Sequence, residues 1–363
     1  MNKTICELFA GVGGFRLGFE RLNRGWNTVW FSQWEPSTKK QWAHDCYVQH
    51  FGDSIDNNGE YRTCEDITFV DKTAIPDHTL LVGGFPCQDY SVAHTLGSAH
   101  GIEGKRGVLW WQIAEVIKAK SPPFCLFENV DRLLKSPAKQ RGRDFGIMLS
   151  CLHSLGYDAE WRVINAADYG EAQRRKRIFI FAWRRDTHYA ESYNSKSFLF
   201  PEIPYLSMFQ RAFPTEISFG GEYVDISEDL LDVSDRFTFN FMDAGGMLKG
   251  RVFTCNFGDL HFLREENATP HKPARTMLTS EATINRSTHV VHDLDTDRLR
   301  LLTPVEAERL NGFDDEWTKT SMSERMRYLR MGNALVVPVV TRIAEQIDAI
   351  VENETSAHHT LAG

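Results

Sequence analysis

Three side-chain types in this chain stand where chemistry could be done. The first is a thiol. Leu80-Leu81-Val82 is an apolar run short enough for a buried strand; Gly83-Gly84 ends it, and Phe85-Pro86-Cys87-Gln88-Asp89-Tyr90-Ser91 follows. Proline fixes its own φ and so stiffens the turn that presents Cys87. In an open α/β sheet, ligands and chemistry collect at the carboxyl ends of strands, where a thiol so held suits a nucleophile. The same stretch also suits a buried, inert cysteine. The second type is a carboxylate at a strand end: Glu35 just after Thr28–Phe31, and Glu128 closing Pro123–Phe127. The first is placed to accept hydrogen bonds from ribose hydroxyls or to start a helix. The third is the basic run Arg174-Arg175-Lys176-Arg177, which interrupts strand-like sequence and so is poorly explained as a solvated face.

Strands and helices must alternate to bring these groups to one edge, and the pattern reads that way. Residues 4–9 form a strand, Ala10–Gly14 a glycine turn, and Phe15–Arg24 a helix. A glycine turn there lets backbone N–H groups approach a nucleotide-like ligand. It fails as a dinucleotide fingerprint, because Arg16 occupies the third glycine position after Gly11 and Gly13. Helical stretches at 107–120 and 143–155 and strands at 160–166 and 177–183 continue the alternation, predicting a doubly wound, mostly parallel sheet. Residues 91–105 lack periodicity and read as an active-site loop. The alternation stops near 185. Beyond it, 237–241 and 253–257 read as an antiparallel hairpin among acidic, proline-bearing segments, which predicts a second, smaller, irregular β-containing domain over 186–297. Helical pattern returns at 303–310, with Thr303 as cap and Pro304 in the first turn, and again from 334 to 351 before a frayed tail.

Composition narrows the class. With 363 residues, 42% hydrophobic and 25% charged, the chain is globular and long enough for two domains. No apolar run reaches membrane-span length, and the strand-like start leaves no room for a signal peptide. The seven cysteines are scattered without a C-x-x-C pair, which argues against disulfides and zinc and for a cytoplasmic protein. Net charge is −8, but the distribution is uneven. Residues 1–185 carry 24 Lys and Arg against 21 Asp and Glu, whereas 186–250 carry 4 against 11. Basic charge is therefore local to the first half, as a phosphate-binding patch requires.

Seven segments occur in an order that resembles C5-cytosine DNA methyltransferases of the prokaryotic modification type. They are ELFAGVGGFRLG (7–18), GGFPCQDYS (83–91), RGVLWW (106–111), FENV (127–130), QRRKR (173–177), LTPVEAERLNGF (302–313) and MGNAL (331–335). The resemblance implies a methyltransferase sheet over 1–185 plus 298–363 and a target-recognition domain over 186–297. It makes Cys87 the nucleophile toward cytosine C6, Glu128 the group at N3, and Arg177 the group at O2, with Arg175 beside it. It places Phe9, Gly11, Gly13, Glu35, Asp66, Ile67, Pro86, Leu109 and Asn333 around S-adenosyl-L-methionine, and Gln88, Ser91, Arg106, Arg251 and Arg275 on DNA. Pro36, Glu65, Ala172 and Asn311 depart from the family's usual residues. The implied partner is double-stranded DNA, with a cognate restriction endonuclease acting independently and the methyltransferase itself a monomer. A tRNA cytosine-5 methyltransferase shares this chemistry, though 112 residues at 186–297 favour a reader of duplex DNA. A nicotinamide-dependent oxidoreductase is disfavoured by Arg16 and by the Cys-Glu-Arg set.

Overall fold

Leu80-Leu81-Val82 and Phe124-Cys125-Leu126-Phe127 are apolar at every position because both faces of their strands are covered. The computed structural model describes residues 1–36, 38–85, 108–137, 140–199, 208–213, 241–242, 273–282, 289–293 and 298–361. Its main sheet contains β1 (Thr4–Leu8), β2 (Asn27–Ser32), β3 (Leu80–Gly84), β4 (Phe124–Val130), β5 (Tyr157–Asn165) and β6 (Lys176–Arg184). Their order is β2-β1-β3-β4-β6-β5. Strands β2, β1, β3 and β4 pair in parallel, whereas β6 runs antiparallel to both β4 and β5. The sheet is therefore mostly parallel, as expected, with one reversed strand.

Alternation along each strand sorts the core into two layers. Leu80, Val82, Phe124, Leu126, Phe179 and Phe181 face one cluster; Leu81, Cys125, Phe127, Ile178 and Ile180 face the other. Helix α1 (Gly14–Glu20) supplies Phe15, Leu17 and Phe19 to the first layer. The second contains Ile113, Val116 and Ile117 of α3 (Val108–Lys120) and Phe145, Met148 and Leu152 of α4 (Arg143–Ser154). Helix α2 (Trp42–Phe51) follows β2, and its Tyr47 stacks on Phe31 with ring centroids 3.9 Å apart.

The hydrophobic core of the main sheet continues beyond the expected boundary at 185. Helix α5 (His188–Leu199) contributes Tyr189 and Ala190 to the first layer, and α6 (Met208–Ala212) contributes Met208, Phe209 and Ala212. Arg162 of β5 donates to the Phe213 carbonyl at 2.7 Å, and Glu160 accepts from Phe209 N at 3.1 Å. These pairings are long-range, so local pattern does not reveal them. The acidic composition that begins at 186 therefore does not mark the end of this core.

Helix α7 (Pro304–Leu310) has the expected cap: Thr303 Oγ1 accepts from Glu306 N at 3.2 Å, and Glu306 Oε2 accepts from Thr303 N at 2.7 Å. Helix α8 (Glu324–Asn333) was not expected. It is rich in charge, and it is anchored by an ion pair in which Arg327 Nη2 donates to buried Glu308 at 2.9 Å. That pairing hides the helix from any search for apolar periodicity. Helix α9 (Val337–Leu361) replaces the frayed tail expected after 351. Its buried Glu354 accepts from the backbone N–H of His188 at 3.1 Å and of Tyr189 at 2.5 Å, tying a polar stretch to the start of α5.

A second sheet joins β7 (Phe241–Met242), β9 (Arg298–Leu301) and β8 (Val290–Asp293), in that order and antiparallel. Apart from Phe241–Met242, the expected 237–257 hairpin lies outside the described residues, as does the 91–105 loop.

Candidate active site

Parallel strands end at the same edge of a sheet; a reversed strand begins there. That is how β4 and β6 bring Glu128 and Arg177 together. Val130 lies opposite Arg177 in register and Glu128 opposite Phe179, so Glu128 and Arg177 are diagonal neighbours. Arg177 Nε stands 2.8 Å from Glu128 Oε1, both side chains being about seven-eighths covered. Burial raises the Glu128 carboxyl above its ordinary value, opposed by the charges of Arg177 and Arg175. Gly84 is paired with Glu128 across β3 and β4, and a Cβ there would lie 3.3 Å from Glu128 Oε2. The next residue along β4, Asn129, is buried and donates from Nδ2 to the Phe85 carbonyl at 3.3 Å. Phe85, two residues before Cys87 in sequence, thus lies beside the carboxylate edge. Cys87, Pro86, Gln88, Ser91, Arg106 and Arg251 lie outside the described residues. The five described cysteines, Cys6, Cys46, Cys64, Cys125 and Cys151, all have thiols pushed up by burial and so resist forming thiolate.

Arg175 goes elsewhere. It is 1% exposed, and its guanidinium donates to the carbonyls of Gly332 at 2.7 Å and Met277 at 3.2 Å. Gln173 Oε1 accepts from Met277 N at 2.9 Å, while its Nε2 donates to Leu310 O at 3.1 Å and Asn311 Oδ1 at 3.2 Å. Asn311 in turn donates to the Met331 carbonyl at 3.2 Å. One buried polar network therefore joins the QRRKR, LNGF and MGN segments to residues 273–279. Gly332 makes the closest approach: a Cβ there would fall 2.4 Å from Thr279 N and 2.6 Å from Leu278 C. Along this docked segment Ala274 and Met277 are buried and Arg275 is exposed.

The neighbouring strand ends carry the residues expected around a cofactor. Phe9, Gly11 and Gly13 all have positive φ (55°, 58° and 86°), which turns the chain sharply out of β1. The expected approach of the turn's N–H groups to a ligand is altered, because two of them are used internally. Gly11 N donates to Gln33 Oε1 at 2.7 Å and Gly13 N to the Ala10 carbonyl at 2.9 Å. Gly13 has a packing role as well, since a Cβ there would fall 2.4 Å from the Phe51 ring. Glu35 is buried past the end of β2; its Oε2 accepts from Ala43 N at 2.9 Å and its Oε1 from Arg330 Nη2. Asp66 accepts from Thr68 N at 3.0 Å and Oγ1 at 2.9 Å, and Ile67 beside it is buried. Leu109 is half-buried in α3, and Asn333 is exposed at the end of α8.

This donor set fits a nucleoside cofactor. A carboxylate offers about four acceptor positions, and the described residues use one on each Glu35 oxygen, which leaves one on each among them for a vicinal diol.

Residues 3–349 match the model of the C-5 cytosine-specific DNA methylase family. The chain belongs to that family. This methyltransferase is 44% identical to the type II methyltransferase M.Sau3AI of Staphylococcus aureus, over 96% of this chain and 97% of that protein. It is 32% identical to the type II methyltransferase M.SsoII of Shigella sonnei, over 94% and 79% respectively. Among solved structures, S. pombe Dnmt2 methyltransferase superposes with a TM-score of 0.66 at 17% identity, covering 96% of this chain and 99% of the other. Entamoeba histolytica methyltransferase EhMeth gives 0.61 at 15%, over 97% and 99%. The fold is that of these methyltransferases, and the chain is a DNA cytosine-5 methyltransferase.

The methyltransferase edge also holds residues that sequence reasoning missed. Gln33 and Arg330 are the clearest, each bonded to a group of the expected cofactor site. Neither lies in a spacing that signals chemistry; only the approach of α8 to the segment after β2 reveals Arg330. Among the described residues no group of three His, Cys, Asp or Glu could hold a metal, and no helix is long and apolar enough to cross a membrane.

Proposed function

We propose that the enzyme methylates C5 of a cytosine flipped out of a specific double-stranded DNA sequence, with Cys87 as nucleophile and S-adenosyl-L-methionine as donor. The observation that supports this reading is the Glu128–Arg177 pair at the strand edge where Asn129 holds Phe85, two residues before Cys87 in sequence.

Cytosine C5 is too weak a nucleophile to be methylated directly. The Cys87 thiolate adds to C6, and the ring's electron pair moves toward N3 and O2. Glu128, whose raised pKa favours a proton, stabilises N3 by donating it; Arg177 holds O2 and keeps the carboxyl oriented. C5 then attacks the methyl carbon as its bond to sulfur breaks, the thioether departing, and N3 returns its proton to Glu128. S-adenosylmethionine supplies an electrophilic methyl, and Glu35, Asp66 and the Phe9–Gly13 turn hold its nucleoside part. Loss of the C5 proton to a base expels the Cys87 thiolate from C6 and restores the aromatic ring. Flipping the base out costs about a few kcal/mol, which contacts to the displaced strand and the pocket offset. Within 214–297, residues 214–272 carry most base-edge contacts, with Arg251 among them; exposed Arg275 binds DNA beside them, and Gln88, Ser91 and Arg106 bind DNA near the flipped base. Likeness to relatives named as type II methyltransferases supports a modification role; the reading takes the enzyme as a cytoplasmic monomer whose cognate endonuclease acts independently.

Target DNA carrying 5-fluorocytosine tests the mechanism, since fluorine cannot leave C5 as a proton does. A denaturation-resistant complex through Cys87 is expected, and Cys87→Ser should form none. An adduct mapped to another cysteine would overturn the assignment.

A further inference from the structure

Glu35 is held more firmly than a lone acceptor needs to be. Its backbone is clamped by Gln41, whose Oε1 accepts from Glu35 N at 2.7 Å and whose Nε2 donates to the Glu35 carbonyl at 3.1 Å. Its carboxylate is clamped twice more, by Ala43 N on Oε2 at 2.9 Å and by the Arg330 guanidinium on Oε1. The Glu35 and Arg330 side chains are only 8% and 12% exposed, so little water competes for either charge. Arg330 comes from α8, one helical turn before Asn333, and reaches Glu35 across 295 residues of sequence.

We propose that Arg330 is a positioning residue for the cofactor's ribose, fixing the Glu35 carboxylate so that its two remaining acceptor positions meet the sugar's two hydroxyls. The inference rests on the reading of Glu35 as the ribose acceptor. The guanidinium supplies the counter-charge that a covered carboxylate needs. Its planar fork also fixes the carboxylate's plane, which an ammonium would not do. A second donor of the same guanidinium, Nε, is buried and unpartnered among the described residues, and is available to a hydroxyl oxygen of the same sugar.

The test is calorimetric titration of S-adenosylhomocysteine and of its 2′-deoxyribose analogue into the full-length enzyme and its variants. The natural enzyme is expected to prefer the ribose form. Arg330→Gln should weaken S-adenosylhomocysteine by about tenfold, as loss of a charge-assisted pair implies, while leaving the deoxy analogue nearly unchanged. Arg330→Lys, which keeps the charge and loses the fork, should fall between them and carries the comparison if the glutamine variant does not fold. Equal weakening of both ligands would make Arg330 a structural residue only, and no weakening of either would also overturn the inference. If the natural enzyme binds both ligands alike, the ribose reading of Glu35 falls first. If Glu35→Gln loses the preference while Arg330→Gln retains it, the role of Arg330 alone is refuted.

Discussion

Arg177 and Glu128 face each other across two strands that run in opposite directions, with Nε 2.8 Å from Oε1. A wholly parallel sheet would put the start of β6 at the far edge, away from Glu128. Reversal of this one strand assembles the pair, and burial of the pair raises the Glu128 carboxyl above its ordinary value.

Glu128→Gln should lower kcat by about 10²–10⁴-fold, the usual contribution of a positioned acid, with little change in cofactor affinity. The pH dependence has a definite sign. Because the carboxyl is raised, its proton is present below that raised value and lost above it, so kcat/KM should decline on the alkaline side. The glutamine variant should lack that decline. An unaltered alkaline limb in single-turnover assays would remove Glu128 from the proton's path.

Gly332→Ala should destabilise the enzyme by about 1–3 kcal/mol, the range for overpacking, because its Cβ would meet backbone atoms of Leu278 and Thr279 that cannot swing away. Urea unfolding measures the loss. The same variant should raise KM for DNA more than for the cofactor, since residues 273–279 are what it displaces. Equal effects on both would argue that the network serves folding alone.

Glu354→Ala should cost about 1–2 kcal/mol, as removal of a helix-capping acceptor does, because the N–H groups of His188 and Tyr189 lose their partner. Truncation after 351 should be worse than this substitution. Thermal melts that show no change in either protein would contradict the packing of α9 on α5.

Exchange of residues 214–272 for the matching segment of a relative with a different target should transfer sequence specificity while leaving the Cys87 adduct intact. An exchange that begins at 186 should fold poorly, because it removes Tyr189, Met208 and Phe209 from the core. Bisulfite sequencing of DNA from cells that express each chimera reads the outcome. Methylation of the original site by the 214–272 chimera would place recognition elsewhere.

Groups whose roles depend on local chemistry could be read directly from the sequence. Apolar runs ending in glycine or a carboxylate gave β3, β4 and the acid at 128; Thr303-Pro304 with Glu306 gave the cap of α7. Family resemblance added the roles of Glu128 and Arg177, and the sheet brings both residues to one edge. Tertiary structure decided what depends on partners distant in sequence. It reversed β6, drew α5 and α6 into the core, and kept α8 and the end of α9 helical through buried Arg327 and Glu354. It turned Arg175 into a brace between Met277 and Gly332, and set Arg330 on Glu35. A charged side chain looks the same in sequence whether it faces water or a buried counter-charge; only the packing of separate segments determines which.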